Sequence, residues 1–208
     1  MVKLAILGAS GHGKVVADIA ECCGWQRVDF FDDAWPDVST NGVWQVVGDT
    51  EVLLDKISDY DGVIVGIGNN AIRHQKLQLL DAVDVNIVSL VHPSAIISNY
   101  ASIGVGSVVM AGVAMNVDVK TGCGAILNTG CSIDHDCVLG ESVHVSPGAR
   151  LAGSVHIGDR SWVGIGAVVR QSVDIGKDVM VGAGAAVISS LPDGVTALGV
   201  PAKFTQVP

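Results

Sequence analysis

A histidine and a carboxylate stand next to each other in the second half of the chain, where His135 is followed by Asp136. An imidazole can accept and release a proton near neutral pH. A neighbouring carboxylate can orient that ring and stabilise its cation. The pair therefore predicts a general base for a reaction in which a nucleophile must lose a proton. His144 and His156 lie in the same half of the chain and are further candidates for such chemistry.

A glycine-rich turn near the amino terminus has the character of a phosphate site. Gly8, Gly11 and Gly13 follow a short apolar strand and precede a helix-like segment. Backbone N–H groups in such a turn can approach phosphate oxygens, and the helix N-terminus adds partial positive charge. The spacing is not the dinucleotide fingerprint, and about 90 residues are too few for a full dinucleotide fold. We therefore expect a mononucleotide to bind here.

Two other turns end strands of the same half. Asp32 follows a strand at 28–31, where its carboxylate could accept hydrogen bonds from ribose hydroxyls or a base N–H. A turn from Gly66 to Asn70 ends another strand. Ligands of open α/β sheets bind at the carboxyl ends of the strands, so we expect the ligand at this edge. Plain tight turns between strands are the alternative interpretation.

The elements that must position His135 are set by a repeat of six residues. From Ile97 to Val187 every sixth residue is aliphatic, with Thr121 as the exception, and a small or β-branched residue lies two positions earlier. Helices have a period of 3.6 and strands a period of two, so neither gives this pattern. It is typical of a hexapeptide parallel β-helix, here with about five coils.

Glycine often follows the aliphatic position of the repeat. We expect these glycines to allow tight turns and positive φ. They are Gly104, Gly122, Gly140, Gly158, Gly164, Gly176 and Gly182.

The repeat also predicts which residues stack. With three hexads to a coil, residues 18 apart lie on successive coils about 4.8 Å apart. Gly153 then lies beside His135, which would leave space for a reacting group and a backbone N–H for an oxyanion. His144 and His156 lie on different faces, and metal ligands must converge within about 2.1 Å of one ion. We therefore expect no metal.

The first half of the chain alternates strands and helices. We expect strands at 3–7, 28–31, 62–67 and 86–90, and helices at 14–23, 49–57 and 70–82. Such alternation predicts a parallel sheet covered by helices. The pattern changes at His92–Pro93, because proline favours extended backbone in the residue before it. We expect a Rossmann-like α/β domain at 1–91 and an all-β parallel β-helix with a tail at 92–208.

Composition excludes several classes of protein. The net charge is −9 and there is no basic run, which argues against a nucleic-acid binder. No apolar stretch of about 20 residues could span a bilayer, and no signal peptide is apparent. The five cysteines include no CxxC pair, and Cys131 and Cys137 fall on inward positions of the repeat. We expect a cytoplasmic protein with reduced cysteines and no membrane insertion.

Eight short segments occur in a characteristic order along nearly the whole chain: Gly8–Lys14, Asp32–Asp33, Gly66–Arg73, His92–Ala95, Leu127–Thr129, His135–Cys137, His144–Ser146 and Gly199–Lys203. Together they resemble the bacterial nucleotide-sugar acetyltransferases of the sialic-acid O-acetyltransferase (NeuD-like) family. Within it, the chain is similar to UDP-4-amino-sugar and perosamine N-acetyltransferases.

The resemblance implies a left-handed coil and a defined reaction. Acetyl-CoA would acetylate the 4-amino group of a nucleotide-linked 4-amino-4,6-dideoxy sugar by direct attack, with His135 as general base and Asp136 as its partner. The acetyl-CoA site would contain Asn128, His144, Gly153, Ile165, Gly182 and Lys203. The nucleotide-sugar site would contain Gly8, Ser10, Gly11, His12, Gly13, Asp32, Asp33, Gly68, Asn69 and Arg73.

The resemblance also implies a homotrimer with active sites between subunits. Outward apolar positions are consistent with such an assembly; they are Val108, Ile126, Val138, Val168 and Ala186. Trp162 also points outward by register and could pack at a subunit contact or against the adenine. Two other functions stay open: O-acetylation of a sugar such as sialic acid, and a non-catalytic β-helix that binds sugar nucleotides.

Overall fold

The computed structural model describes residues 1–83 and 85–206. The chain divides into two compact units, Met1–Pro93 and Ser94–Pro208. This boundary lies two residues after the predicted one and directly after the His92–Pro93 step, where the sequence pattern changes.

The first unit is a Rossmann-like α/β domain. Its five-stranded sheet has the order β3-β4-β2-β1-β5 and is parallel apart from the β3–β4 hairpin. The strands are β1 Lys3–Leu7, β2 Arg27–Phe31, β3 Thr40–Asn41, β4 Trp44–Gly48 and β5 Gly62–Val65, followed by a short strand β6 Leu90–Val91. The helices are α1 Gly11–Cys22, α2 Thr50–Asp55 and α3 Asn70–Asp81, with a 3₁₀ turn at Ile57–Asp59.

Two elements of this sheet differ from expectation. The strand predicted at 86–90 is wrong, because this segment meets β5 through a single bridge between Val63 and Ile87 and then leaves the sheet. The β3–β4 hairpin was missed, although Asn41–Gly42 is a strong hairpin signal. Gly42 has a φ of 68°, which is the left-handed conformation that such a turn requires. The hairpin adds β4 beside β2 and so extends the sheet.

The second unit is a left-handed parallel β-helix with three faces. Face one contains β10 Lys120–Thr121, β13 Val138–Leu139, β16 His156–Ile157 and β19 Asp174–Ile175. Face two contains β8 Val108–Val109, β11 Ile126–Leu127, β14 His144–Val145, β17 Trp162–Val163, β20 Met180–Val181, β22 Val195–Leu198 and β23 Lys203–Gln206. Face three contains β7 Ile96–Ile97, β9 Ala114–Met115, β12 Ser132–Ile133, β15 Arg150–Leu151, β18 Val168–Val169 and β21 Ala186–Val187.

The 18-residue stacking rule is confirmed by the strand pairing. Ile126 pairs with His144, and His144 pairs with Trp162. The aliphatic positions fill the core between the faces, and Cys131 and Cys137 are buried there as expected. Thr121 fits this core because its hydroxyl oxygen accepts a hydrogen bond from the Gly104 N–H at 3.1 Å.

The expectation that the glycines after the aliphatic positions supply positive φ is wrong. Positive φ instead recurs every sixth residue from Gly106 to Gly184, three positions after the aliphatic residue. The glycines in question allow close contact between coils. A Cβ on Gly158 would lie 2.7 Å from the carbonyl carbon of Gly176, and real Cβ atoms do not approach backbone that closely.

Outward apolar positions also divide into two groups. Val108 and Ile126 are buried, each 1% exposed, whereas Val138 and Val168 are 43% and 46% exposed. The repeat marks which residues point outward but not which of them are covered.

Among the described residues, no helix has both the length and the apolar character needed to span a membrane.

We predict that Gly158→Ala destabilises the β-helix, because the new methyl group collides with the backbone of the next coil. The free energy of unfolding in denaturant titrations should fall by about 1–3 kcal/mol.

Gly130→Asn is the matched control, since Gly130 has a φ of 64° and open space where a side chain would lie. Asparagine tolerates this conformation, so the cost should be about 1 kcal/mol or less. Equal stability of the Gly158→Ala variant and the parent chain would contradict the role of close coil contact.

Candidate active site

The turn between β12 and β13 carries the His135–Asp136 pair. Nδ1 of His135 lies 2.7 Å from Oδ2 of Asp136. Because an ionised carboxylate can only accept, the ring donates from Nδ1 and keeps a lone pair on Nε2. Asp136 has a φ of 59°, one of the recurring left-handed positions, so the regular turn of the coil itself sets the position of this carboxylate.

Two carboxylates set the charge environment of the imidazole. The hydrogen bond to Asp136 raises the pKa of His135. Desolvation opposes this effect in part, and the negative charges of Asp134 and then Asp136 add smaller upward contributions. His135 is therefore a stronger base than a free histidine. Both partners of the pair are more than half exposed, so substrate can reach the ring.

Gly153 lies directly against this ring, as the register predicts. A Cβ on Gly153 would lie 2.5 Å from Cε1 and 2.6 Å from Nε2 of His135. The space beside the glycine is thus occupied by the imidazole rather than left open for a reacting group. Glycine is needed here because any larger residue would displace the ring.

His144 lies on β14 of face two and is only 5% exposed. Its Nε2 is 3.1 Å from Nδ2 of Asn128, and its ring packs on Trp162 with the ring centres 4.2 Å apart. Trp162 donates from Nε1 to the hydroxyl of Ser146 at 2.6 Å. These contacts fix the His144 ring from two sides.

The same residues line a groove of about 430 Å³. Four predicted acetyl-CoA residues lie there together: Asn128, His144, Ile165 and Gly182. Sequence reasoning missed several of the other lining residues, namely Ser146, Pro147, Gly164, Met180, Val181 and Ala183. The 18-residue register could have found them, because most of the lining falls into columns such as 144, 162 and 180, or 147, 165 and 183.

Two predicted acetyl-CoA residues lie outside this groove. Gly153 packs on His135, and Lys203 is exposed on β23, which pairs antiparallel with β22. A Cβ on Gly182 would collide with Leu198 of β22, so this glycine lets β22 pack on the coil.

His135 and His144 lie on opposite sides of the β-helix. They are separated by nine residues, half of an 18-residue coil. His135 is at the corner between faces three and one, whereas His144 is on face two. A single chain therefore does not bring these two side chains together.

The glycine turn of the first unit combines tight packing with an open helix end. Gly8 has a φ of 114°, and a Cβ there would lie 2.5 Å from Cγ1 of Ile67. A Cβ on Gly13 would collide with the Gly8 carbonyl. Around Gly11, by contrast, no described atom beyond its chain neighbours and the nearby backbone of its own helix lies within 4 Å of a Cβ position. Ser10 is the N-cap of α1, yet its side chain makes no capping bond, so the helix N-terminus can receive an anion.

Asp32 and Asp33 have partners within the chain. Asp32 accepts from the Ala9 N–H at 2.7 Å and from the Ala34 N–H at 2.9 Å, and so ties the glycine turn to the end of β2. Asp33 pairs with Lys76 at 2.7 Å and accepts from Thr50. Hydrogen bonds from Lys76 and then Thr50 lower the pKa of Asp33.

The loop after β5 is held by Arg73, which is only 1% exposed. Its Nη1 donates to the carbonyls of Ile67 and Gly68, both at 3.0 Å, and its Nη2 donates to Asn70 at 2.8 Å. Burial lowers its pKa to about 9. Asn69 caps α3 by accepting from the Ile72 N–H at 3.0 Å. The hydrogen bonds of Arg73 and Asn69 therefore hold the shape of this loop.

His12 lies beside this loop, with its Cβ 3.7 Å from where a side chain on Gly68 would begin. Burial, and to a lesser extent the charge of Arg73, lower the pKa of His12 to about 4. The ring is therefore neutral near pH 7 and can offer a hydrogen bond but no positive charge.

His156, the third histidine of the second unit, is exposed on face one. Its Nδ1 lies 2.9 Å from Oδ1 of Asp174 in the next coil. Among the residues that the structure describes, no group of three histidine, cysteine or acidic side chains is placed to hold a metal ion.

Fold and site together define a hexapeptide-repeat transferase with a Rossmann-like amino-terminal domain. Residues 3–80 match the PglD N-terminal domain family, and residues 154–189 match the bacterial transferase hexapeptide repeats.

Solved structures and a curated relative give the family. The acetyltransferase domain of PglB from Neisseria gonorrhoeae FA1090, in complex with acetyl coenzyme A, is 40% identical, with a TM-score of 0.93 and 98% of each chain covered. PerB from Caulobacter crescentus, in complex with CoA and GDP-perosamine, is 39% identical, with a TM-score of 0.92 and 99% of this chain and 98% of that chain covered. The UDP-N-acetylbacillosamine N-acetyltransferase of Bacillus subtilis (strain 168) is 36% identical over 117 residues. That match covers 53% of this chain and 52%, about half, of the relative. The chain belongs to the family of these sugar N-acetyltransferases.

We predict that His12 contributes to loss of stability in acid. Its pKa is about 4 in the folded chain and near 6.5 when unfolded, so the unfolded state binds more protons between these values. The folded chain is then destabilised as pH falls from 6.5 towards 4. His12→Gln should lose less stability over this range in denaturant titrations at pH 7, 5.5 and 4.5.

His156→Gln is the control, because His156 is exposed on the β-helix. An unchanged acid sensitivity in the His12→Gln variant would show that the ring is not held neutral.

Proposed function

We propose that this chain transfers the acetyl group of acetyl-CoA to the 4-amino group of a nucleotide-linked 4-amino-4,6-dideoxy sugar. The observation that carries this proposal is the His135–Asp136 hydrogen bond, which leaves Nε2 of an exposed imidazole as a proton acceptor. Two relatives that match along nearly their whole length bind acetyl-CoA, or CoA with GDP-perosamine, which supports the substrate class.

The reaction proceeds by direct attack. The amine nitrogen bonds to the thioester carbonyl carbon while Nε2 of His135 accepts the amine proton, and the charge of Asp136 stabilises the imidazolium. The tetrahedral intermediate carries its negative charge on oxygen, and we assign the backbone N–H of Gly153 as its donor. The C–S bond then breaks, and the leaving CoA thiolate takes the proton from His135. No acyl-enzyme forms.

The groove on face two is the acetyl-CoA site in this proposal. Its lining is mainly apolar apart from Asn128, Ser146 and His144, which suits the pantetheine arm of CoA. His144 and Asn128 would hydrogen-bond the acetyl end, and Trp162 would pack beside it. Lys203 would meet a CoA phosphate as a point charge.

The nucleotide sugar binds the first unit in this proposal. The uncapped N-terminus of α1 and the open space at Gly11 suit a diphosphate. Neutral His12 would donate a hydrogen bond to the sugar or phosphate. Asp32 already accepts two backbone N–H groups, so ribose or base would use its remaining lone pairs. The cytoplasm, where we expect the protein to act, would supply both substrates.

We also propose a homotrimer in which each active site lies between two subunits. Since His135 and the His144 groove are half a coil apart, His135 of one subunit must meet the groove of its neighbour for both to act on one thioester. The exposed Val138 and Val168 are apolar residues that a subunit contact would cover.

We predict that the purified chain releases CoA when given acetyl-CoA and one of the UDP-, GDP- or dTDP-linked 4-amino sugars. His135→Ala should lower kcat by about 10²–10⁴-fold, because the amine proton then has no acceptor.

His156→Ala is the matched control, since it removes another exposed histidine that is paired with an aspartate, and its kcat should stay unchanged. Full turnover by the His135→Ala variant would refute the assignment of the base.

Turnover with hydroxyl sugars alone would identify an O-acetyltransferase. Nucleotide binding without acetyl-CoA binding in calorimetry would identify a non-catalytic protein.

We predict that inactive subunits complement one another. When His135→Ala and His144→Ala chains are co-expressed in equal amounts, about a quarter of the interfaces in a cyclic trimer combine an intact His135 with an intact His144. Acetyl transfer should rise to about that fraction of the parent activity. A mixed preparation no more active than either variant alone would place both histidines in one subunit's site.

A further inference from the structure

The turn that carries His135 is held by two residues that the proposed mechanism does not use. Oδ1 of Asp134 accepts a hydrogen bond from the backbone N–H of His135 at 2.9 Å. The same oxygen accepts from Nδ2 of Asn116 at 2.8 Å. Asn116 lies one coil before Asp134, and the ladder bond from its N–H to the Ile133 carbonyl at 3.0 Å fixes its backbone.

We propose that Asp134 and Asn116 are positioning residues for the base His135, with Asp134 fixing the peptide of His135 and Asn116 fixing the Asp134 carboxylate. The proposal rests on the proposed function of His135. The imidazole is then oriented from both directions, by Asp134 through the backbone and by Asp136 through Nδ1. A ring that turns away from the thioester would lose the geometry on which direct attack depends.

The surroundings of His135 leave these two carboxylates as the main charges acting on it. The neighbouring coils place Val117 and Asp118 below the pair and Gly153 and Ser154 above it, as the bonds from Asp136 N–H to Val117 and from Ser154 N–H to His135 show. The charge of Asp134 adds to that of Asp136 in raising the pKa of His135. The hydrogen bond from the His135 N–H, and then that from Asn116, lower the pKa of Asp134, so it stays ionised at neutral pH.

Three variants separate geometry from charge. Asp134→Ala removes both the acceptor and the charge. Asp134→Asn keeps an oxygen that can accept from the His135 N–H but removes the charge. Asn116→Ala removes only the second donor. The measurements are kcat and KM for both substrates, the pH profile of kcat/KM, and an NMR titration of the His135 ring in the full chain without substrate.

Asp134→Ala should lower kcat at pH 7 by about tenfold, with KM within about twofold, because the base is misplaced while the binding groups are intact. The midpoint of the His135 titration should move to lower pH, and the acid limb of kcat/KM should move with it. Asp134→Asn should recover most of the kcat and keep the shifted midpoint. Asn116→Ala should fall between the parent chain and Asp134→Ala in kcat.

Asp159→Ala is the matched control. Oδ1 of Asp159 likewise accepts a backbone N–H, from Glu141 at 3.0 Å, but at a different corner of the coil. It should change neither kcat nor the His135 titration. A lower melting temperature of Asp134→Ala with unchanged kcat and titration would overturn the proposal, because Asp134 would then only stabilise the turn. If the parent chain acetylates no acceptor, the proposed function fails. An unmoved His135 midpoint in Asp134→Ala would separately overturn the positioning role, because the ring would then keep its bond to Asp136 without the Asp134 carboxylate.

Discussion

The stacking of successive coils at the spacing of paired strands is the constraint on which the second unit depends. Each coil donates backbone hydrogen bonds to the next, as in the bonds from Asn128 to Val145 and from Ser146 to Val163. Glycines such as Gly122 and Gly158 let the corners approach more closely than any Cβ would allow. Because this contact is made at every coil, the register does not drift. A residue's position is then set by its number along the repeat.

Because of this constraint, residues 18 apart form columns that run along the β-helix, and the candidate functional side chains lie in such columns. One column places Gly153 against the imidazole of His135. Another places Trp162 on the ring of His144, and Met180 lies in that column beyond the tryptophan. A side chain in such a column has a neighbour about 4.8 Å away on either side, so its rotamer is limited by packing rather than by a loop. The recurring left-handed turn likewise limits the position of the Asp136 carboxylate, because the coil fixes the backbone from which this side chain extends.

The first unit positions its polar residues differently, through individual hydrogen bonds between loops. Asp32 holds the glycine turn, Asp33 joins Lys76 and Thr50, and Arg73 holds the loop after β5. Several residues with the character of ligand contacts are therefore engaged within the chain. The N-terminus of α1 around Gly11 carries no such side-chain cap. In the proposed nucleotide-sugar site, these bonds would shape the loops before a ligand arrives, which lowers the entropy cost of binding.

The sequence by itself determined the β-helix, its coil length, the neighbours of His135 and the parallel sheet of the first unit. It could do so because a period of six with small inward residues has one regular solution, and because residues 18 apart must then pair. The His135–Asp136 bond was also readable, since the two residues are adjacent.

Only the tertiary structure decided which glycines adopt positive φ in turns and which allow close contact between coils. The sequence shows a glycine in both cases and does not distinguish them. It also decided that Arg73 is buried under a loop, that Val108 and Ile126 are covered while Val138 is not, and that Asp134 is bonded to Asn116. These outcomes depend on contacts between segments that no local period encodes. A repeat specifies where a side chain begins, whereas its partner and its exposure depend on what the rest of the chain places beside it.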